Sequence, residues 1–146
     1  MTKNPSPSEE LLRAIDIARI AHADQTRKNG EPYVNHPFRV SDHVITQSEK
    51  IIAVLHDVLE DTEITPGQLI DFHISKKNVR LIQILTREKN ETYYDYIHRI
   101  IKSKNKIVMR VKMVDLDDNM SDLEECTLKD KYRFARDAIK HAMEEL

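Results

Sequence analysis

Glycine is scarce, with two residues in 146, and no stretch alternates apolar with polar side chains. Both absences argue against a sheet-rich fold, which relies on period-two patterning and on glycine at tight turns. Cysteine occurs once, at Cys126, so no internal disulfide can form and a reduced compartment is the plainer expectation. A nucleophilic thiol would need a partner base; His98 and His141 are available, but neither lies in a recognisable signature. Charge of one sign is also lacking. The 23 basic and 25 acidic side chains leave a net −2, which asks for neither nucleic acid nor a membrane surface as partner. No apolar run approaches the roughly 18 residues of a membrane span, and "MTKNPSPSEE" lacks the basic and apolar regions of a secretory signal. A cytoplasmic protein is expected.

What is present is helix punctuation. "SPSEELLRAIDIARIAHADQ" offers Ser6 as N-cap, Pro7 at the first helical position and Glu9 three residues after the cap, with Leu11, Ile15, Ala18 and His22 on one stripe. "TRKNGEPYVNHP" carries Gly30, Pro32 and Pro37 and reads as an ordered loop feeding a helix that starts near Pro37. "SEKIIAVLHDVLE" reads as one central buried helix, because seven of the nine residues from Ile51 to Leu59 are apolar and cover every side. Thr65, Pro66 and Gln68 repeat the cap, proline and capping-box pattern, and further helices follow at "NVRLIQILT", "TYYDYIHRIIKSK", "KIVMRVKMVDLDDNM" and "LKDKYRFARDAIKHAMEEL". The reading is all-α: one domain over 1–146 with roughly eight helices sharing one core, its motifs lying in about 8–122 and its last helix in about 128–145.

The pair His56-Asp57 sits inside that apolar helix, and Glu60-Asp61 closes it. A buried charge is costly to desolvate, so the pair has a partner. It is either a satisfied structural pair, histidine on a carbonyl and aspartate on a lysine, or part of a metal site. His36, before Pro37, and Asp115, after "IVMRVKMV", complete a set of two imidazoles and two carboxylates, which suits Mn²⁺ and also admits Fe²⁺, Mg²⁺ or Zn²⁺. On a continuous helix, neighbours point about 100° apart, so His56 and Asp57 straddle an ion beside it, with Glu60 and Asp61 one turn on.

Three stretches carry a family resemblance. "AHADQTRKNGEPYVNHP" resembles AHxGQxRKxGxPYxxHP, "AVLHDVLEDT" resembles AxLHDxxEDT, and "VKMVDLDDNM" resembles KLADxxxNM. In order and spacing they resemble the HD-domain superfamily of metal-dependent phosphohydrolases. The nearer likeness is to the hydrolase domain of RelA/SpoT homologues, which removes the 3′-pyrophosphate of guanosine tetraphosphate, ppGpp. Asp24 stands where that family has glycine and Leu116 where it has a basic residue; "DLxDN" with "LTREKNETYYDYI" resembles instead small single-domain bacterial HD proteins.

The resemblance implies an HD-type helical array, a metal held by His36, His56, Asp57 and Asp115, and Glu60 and Asp61 orienting or deprotonating water. It further implies Arg27, Lys28 and Tyr33 at the substrate and Asn119 at the nucleoside. Each residue has a plainer alternative: a helix-end carboxylate for Glu60 and Asp61, surface charge for Arg27 and Lys28, packing for Tyr33, and a local helix hydrogen bond for Asn119. His22 reads as a satisfied core or supporting histidine rather than a fifth ligand. Lys102, Lys104, Lys106, Arg110 and Lys112 read as a solvated helix face. The expected activity is hydrolysis of ppGpp, a small nucleotide. The alternatives are the same chemistry on another nucleotide or phosphoester, and a silent nucleotide-binding module. Synthesis of the nucleotide is not expected of these 146 residues, and the residues specify no oligomeric state.

Overall fold

The computed structural model describes residues 8–146, all of whose regular elements are helices. The cap assigned to Ser6 and the helical proline at Pro7 lie outside the described residues. The first helix, α1 (Glu9–Ala21), is capped by Ser8, whose hydroxyl accepts the Leu11 N–H at 3.0 Å. There follow α2 (Asn35–Asp42), α3 (Gln47–Leu55), α4 (Val58–Asp61), α5 (Pro66–Asp71), α6 (Lys76–Ile84), α7 (Tyr93–Lys102), α8 (Lys106–Met120) and α9 (Thr127–Glu144). No helix among the described residues is long and apolar enough to cross a membrane.

Among the described residues nine helices appear instead of roughly eight, because the expected central helix is broken in two. Its first part, α3, opens with a capping box: the Thr46 hydroxyl accepts the Glu49 N–H, and the Glu49 carboxylate accepts the Thr46 N–H. Ile51 to Leu55 are then buried on all sides. At His56 the ladder lapses: its N–H reaches back only to Ala53, three residues earlier. Asp57, at φ −104° and ψ −2°, occupies the sparsely populated region between helix and strand before α4 begins.

Around α3 pack α1, α2, α6 and α8, and α9 covers α8 and α7. Burial of Leu11, Ala14, Ile17 and Ala18 from α1, Val40 from α2, Ile82 from α6, and Val108, Met109, Val111 and Leu116 from α8 makes one continuous core. Leu116 is fully buried, so the position where the resembling family has a basic side chain faces the core. The loop between α1 and α2 folds on itself: Thr26 and Pro32 form an isolated bridge, and Gly30 turns the chain at φ +87°, where a Cβ is strained.

Candidate metal centre

Three elements meet where α3 breaks. His36 enters from the first turn of α2, His56 and Asp57 from the break, and Asp115 from the middle of α8. His36 Nε2 lies 2.8 Å from Asp115 Oδ1 and 3.7 Å from Asp57 Oδ2. His56 Nε2 lies 3.0 Å from Asp57 Oδ2 and 3.1 Å from the same Asp115 Oδ1. The break, rather than a 100° offset on a straight helix, is what turns both neighbours of the His56-Asp57 pair inward. The expectation of a continuous helix through the pair is corrected accordingly.

The outer ring nitrogens decide what the inner ones carry. His36 Nδ1 lies 2.6 Å from Asp118 Oδ2, and His56 Nδ1 lies 2.6 Å from the Ala53 carbonyl oxygen. Both outer partners are acceptors, so each Nδ1 holds a proton and each Nε2 is left with a lone pair directed at carboxylate oxygens. Four lone-pair donors facing one another require either a second proton on each ring or a shared cation. Around a six-coordinate ion with bonds of about 2.1 Å, adjacent donors stand about 3 Å apart. All four donors lie within 4.8 Å of one another, so the set fits a divalent ion.

Electrostatics agree. Burial opposes charging of His36 and His56, but the facing carboxylates outweigh it and raise both pKa values. Burial likewise opposes ionisation of Asp115, and the Lys112 ammonium and His56 overcome it, holding the carboxyl well below its usual range.

Glu60 and Asp61 lie beside the cluster; one carboxylate oxygen from each and one from Asp57 fall within 4.8 Å of one another. Glu60 Oε1 accepts the Arg87 N–H at 2.7 Å, which aims the carboxylate. Burial raises the Glu60 pKa against the pull of that N–H, and the charges of Asp57 and Asp61 add to the rise. Asp61 is raised by burial and then by Asp57. The Tyr33 hydroxyl lies 2.5 Å from Asp57 Oδ2 and 3.0 Å from Asp61 Oδ2, tying the two carboxylates together. Burial and these charges keep the phenol neutral by raising its pKa.

Next to the cluster opens a cavity of about 280 Å³, lined by Glu60, Arg87, Lys112 and Asn119 and by the rings of Tyr93 and Tyr132. Asn119 and Tyr132 also line a second cavity of about 460 Å³ that takes in Arg27 and Lys28. Arg27 is tied back, donating to Asn119 Oδ1 at 3.0 Å, while Lys28 is exposed. Asn119 also makes the local bond expected of a helix residue, donating to Asp115 Oδ1 at 3.3 Å. His22 is buried away from the four donors, paired through Nδ1 with Gln25 Oε1 at 2.8 Å.

Lys112 corrects the solvated-face reading. Its ammonium is buried, donates to Asp115 Oδ2 at 2.8 Å and lies 5.0 Å from the Tyr96 ring centroid. The signal was present: Asp115 stands three residues on, and Val108 and Val111 flank Lys112 on the same buried side. Two further residues beside the centre carry no distinguishing mark in the sequence. Asp118 sits one turn after Asp115 in "DLDDN", and Arg39 is a turn beyond His36.

No family model matches the chain. Among curated proteins, it is 30% identical over 131 residues to the guanosine-3′,5′-bis(diphosphate) 3′-pyrophosphohydrolase of Aquifex aeolicus, covering 82% of this chain and 18% of that protein. To the bifunctional (p)ppGpp synthase/hydrolase SpoT of Escherichia coli K12 it is 28% identical over 145 residues, covering 90% of this chain and 20% of that protein. The chain thus spans about a fifth of the length of these relatives. A solved structure of a metazoan ortholog of SpoT, described as hydrolysing ppGpp, superposes with a TM-score of 0.74 at 21% identity, over 95% of this chain and 88% of that one. The chain therefore shares the fold of that SpoT ortholog, and the resemblance read from the three motifs is borne out by the named relatives.

Proposed function

We propose that this chain is a metal-dependent phosphohydrolase that removes the 3′-pyrophosphate of ppGpp. The observation that carries the reading is the convergence of His36, His56, Asp57 and Asp115 beside an acidic pair and a tyrosine-lined cavity that also takes in Arg87 and Lys112. Likeness to named ppGpp pyrophosphohydrolases along most of the chain supports the substrate.

His36, His56, Asp57 and Asp115 hold the ion, for which Mn²⁺ is proposed and Fe²⁺, Mg²⁺ and Zn²⁺ share the donor chemistry. When bound, a divalent ion supplies a water of lowered pKa and withdraws charge from a phosphoryl oxygen. Glu60, aimed by the Arg87 amide, takes the proton of the attacking water, and burial makes it a stronger base than an ordinary glutamate. Asp61, held by Tyr33, orients the same water. The Lys112 ammonium, with one of its three N–H groups on Asp115, offers the others to phosphate oxygens in the cavity. Arg27 and Lys28 receive the remaining phosphate charge or the base, and Asn119 contacts the nucleoside. The unit is a single domain working in the cytoplasm on a small nucleotide.

The test is a metal analysis followed by product analysis over a nucleotide panel. Pyrophosphate released from ppGpp with GDP as co-product supports the reading. Orthophosphate from monophosphates with ppGpp intact favours the same chemistry on another phosphoester. Tight ppGpp binding without turnover in the metal-loaded protein favours a binding module.

A further inference from the structure

The two imidazoles of the centre are oriented by unlike means. His56 leans on a backbone carbonyl, that of Ala53, which no side-chain change removes. His36 depends on the Asp118 carboxylate, which is itself gripped: Arg39 donates from Nε to Oδ1 at 2.8 Å and from Nη2 to Oδ2 at 3.1 Å. Arg27 Nη1 approaches Oδ2 at 3.4 Å. Arg39 is in turn held by both carboxylate oxygens of Glu31, each at 3.1 Å. The loop carrying Glu31 is closed by the Arg27 N–H donating to the Glu31 carbonyl at 2.9 Å. An unbroken set of charge-assisted bonds therefore runs from the loop that bears Arg27 and Lys28, through Arg39 and Asp118, to His36. The Asp118 side chain is only 12% exposed and His36 is buried, so the bond between them is little weakened by water.

Resting on the metal-centre reading above, we infer that Asp118 is a positioning residue for ion binding. It fixes the His36 ring with Nδ1 protonated and Nε2 bare, and Arg39 and Arg27 fix Asp118. A carboxylate on the far nitrogen of a ligating histidine sets the ring's tautomer and orientation and strengthens it as a donor; losing such a partner typically costs about 10- to 100-fold in metal affinity. The neighbour Asp117 supplies an internal control. It carries the same charge one residue away but points outward, where it pairs with Arg136.

The experiment is a Mn²⁺ titration, with free ion read by electron paramagnetic resonance, on the parent chain, Asp118→Asn, Arg39→Gln and Asp117→Asn. Asp118→Asn keeps the side chain's shape while removing its charge, and should bind Mn²⁺ about 10- to 100-fold more weakly with unchanged far-ultraviolet circular dichroism. Arg39→Gln, which loosens the grip and leaves the carboxylate, should weaken binding severalfold, and Asp117→Asn should match the parent. Parent-like affinity in Asp118→Asn overturns the inference while leaving the metal centre standing; a parent that binds no Mn²⁺ overturns both. Should Asp118→Asn fail to fold, the unmodified chain answers by another route. In ring ¹⁵N–¹H correlations of the Zn²⁺-loaded protein, the His36 Nδ1 proton should be shifted downfield and slowed in exchange by its bond to the Asp118 carboxylate, and an Nδ1 proton with the shift and exchange of a water-bonded imidazole overturns the inference.

Discussion

Under the proposed function, Glu60 is where binding and catalysis separate. Its carboxylate stands beside the cluster, is oriented by the Arg87 amide, and is kept more basic than an ordinary glutamate by burial. Glu60→Gln should therefore retain the ion and bind ppGpp about as well while losing roughly 10²- to 10⁴-fold in turnover, the usual cost of a positioned general base. Metal content and single-turnover hydrolysis on one preparation check this; parental turnover reduces Glu60 to a helix-end carboxylate. Asp61→Asn should fall in the same direction, since Tyr33 holds it toward Asp57. His56→Ala and Asp57→Ala should behave differently, losing the ion itself, because each removes one of four donors; retention of a full equivalent of metal in both would dismiss the ligand assignment.

Among the elements, α3 matters most because it delivers His56 at its C-terminal end after five buried apolar residues. Its start is set by the reciprocal bonds of Thr46 and Glu49, so Thr46→Ala should lower stability by about 1 kcal/mol. Urea unfolding with an unchanged slope checks the figure, and no loss would mean that packing alone sets where α3 begins. At the other end, the break at His56 and Asp57 is stabilised by the contacts it makes possible. The Ala53 carbonyl receives both the His56 amide and its ring, and α4 restarts with the Asp61 N–H on the Asp57 carbonyl at 2.9 Å.

At the scale of the whole molecule, the proposed metal centre sets metal and protons in competition for the same four donors. The raised pKa values of His36 and His56 mean that, without metal, their contribution to stability is fully present below the ordinary histidine value of 6.5 and is lost as pH rises through the folded values. The depressed value of Asp115 works in the opposite sense: its contribution is present above the ordinary 3.8 and is lost as pH falls through the folded value. The thermal midpoint of metal-free protein should therefore decline from pH 6.5 upward. Mn²⁺ should abolish that decline and release protons on binding. At a free concentration a hundredfold above its dissociation constant, the ion should add about 2.7 kcal/mol. Scanning calorimetry across pH, with and without Mn²⁺, reads both effects; an alkaline decline that persists with ion bound would place its origin outside His36 and His56.

The sequence by itself determined the helical class and most element positions, and it marked four candidate donors, because these rest on local chemistry and short motifs. The cap at Thr65, period-3.6 stripes and charged residues inside apolar runs are visible without knowing what packs on what. Only the tertiary structure decided that "IIAVLHDVLED" is two helices, since the break is stabilised by Asp115 on α8 and by Tyr33, far away in the chain. It likewise decided that Lys112 is buried against Asp115 while its neighbours in the basic series stay at the surface. Asp118 and Arg39 stood unmarked in the sequence for the same reason. A carboxylate near the end of a helix has no meaning until the fold brings His36, 82 residues away, to within 2.6 Å of it.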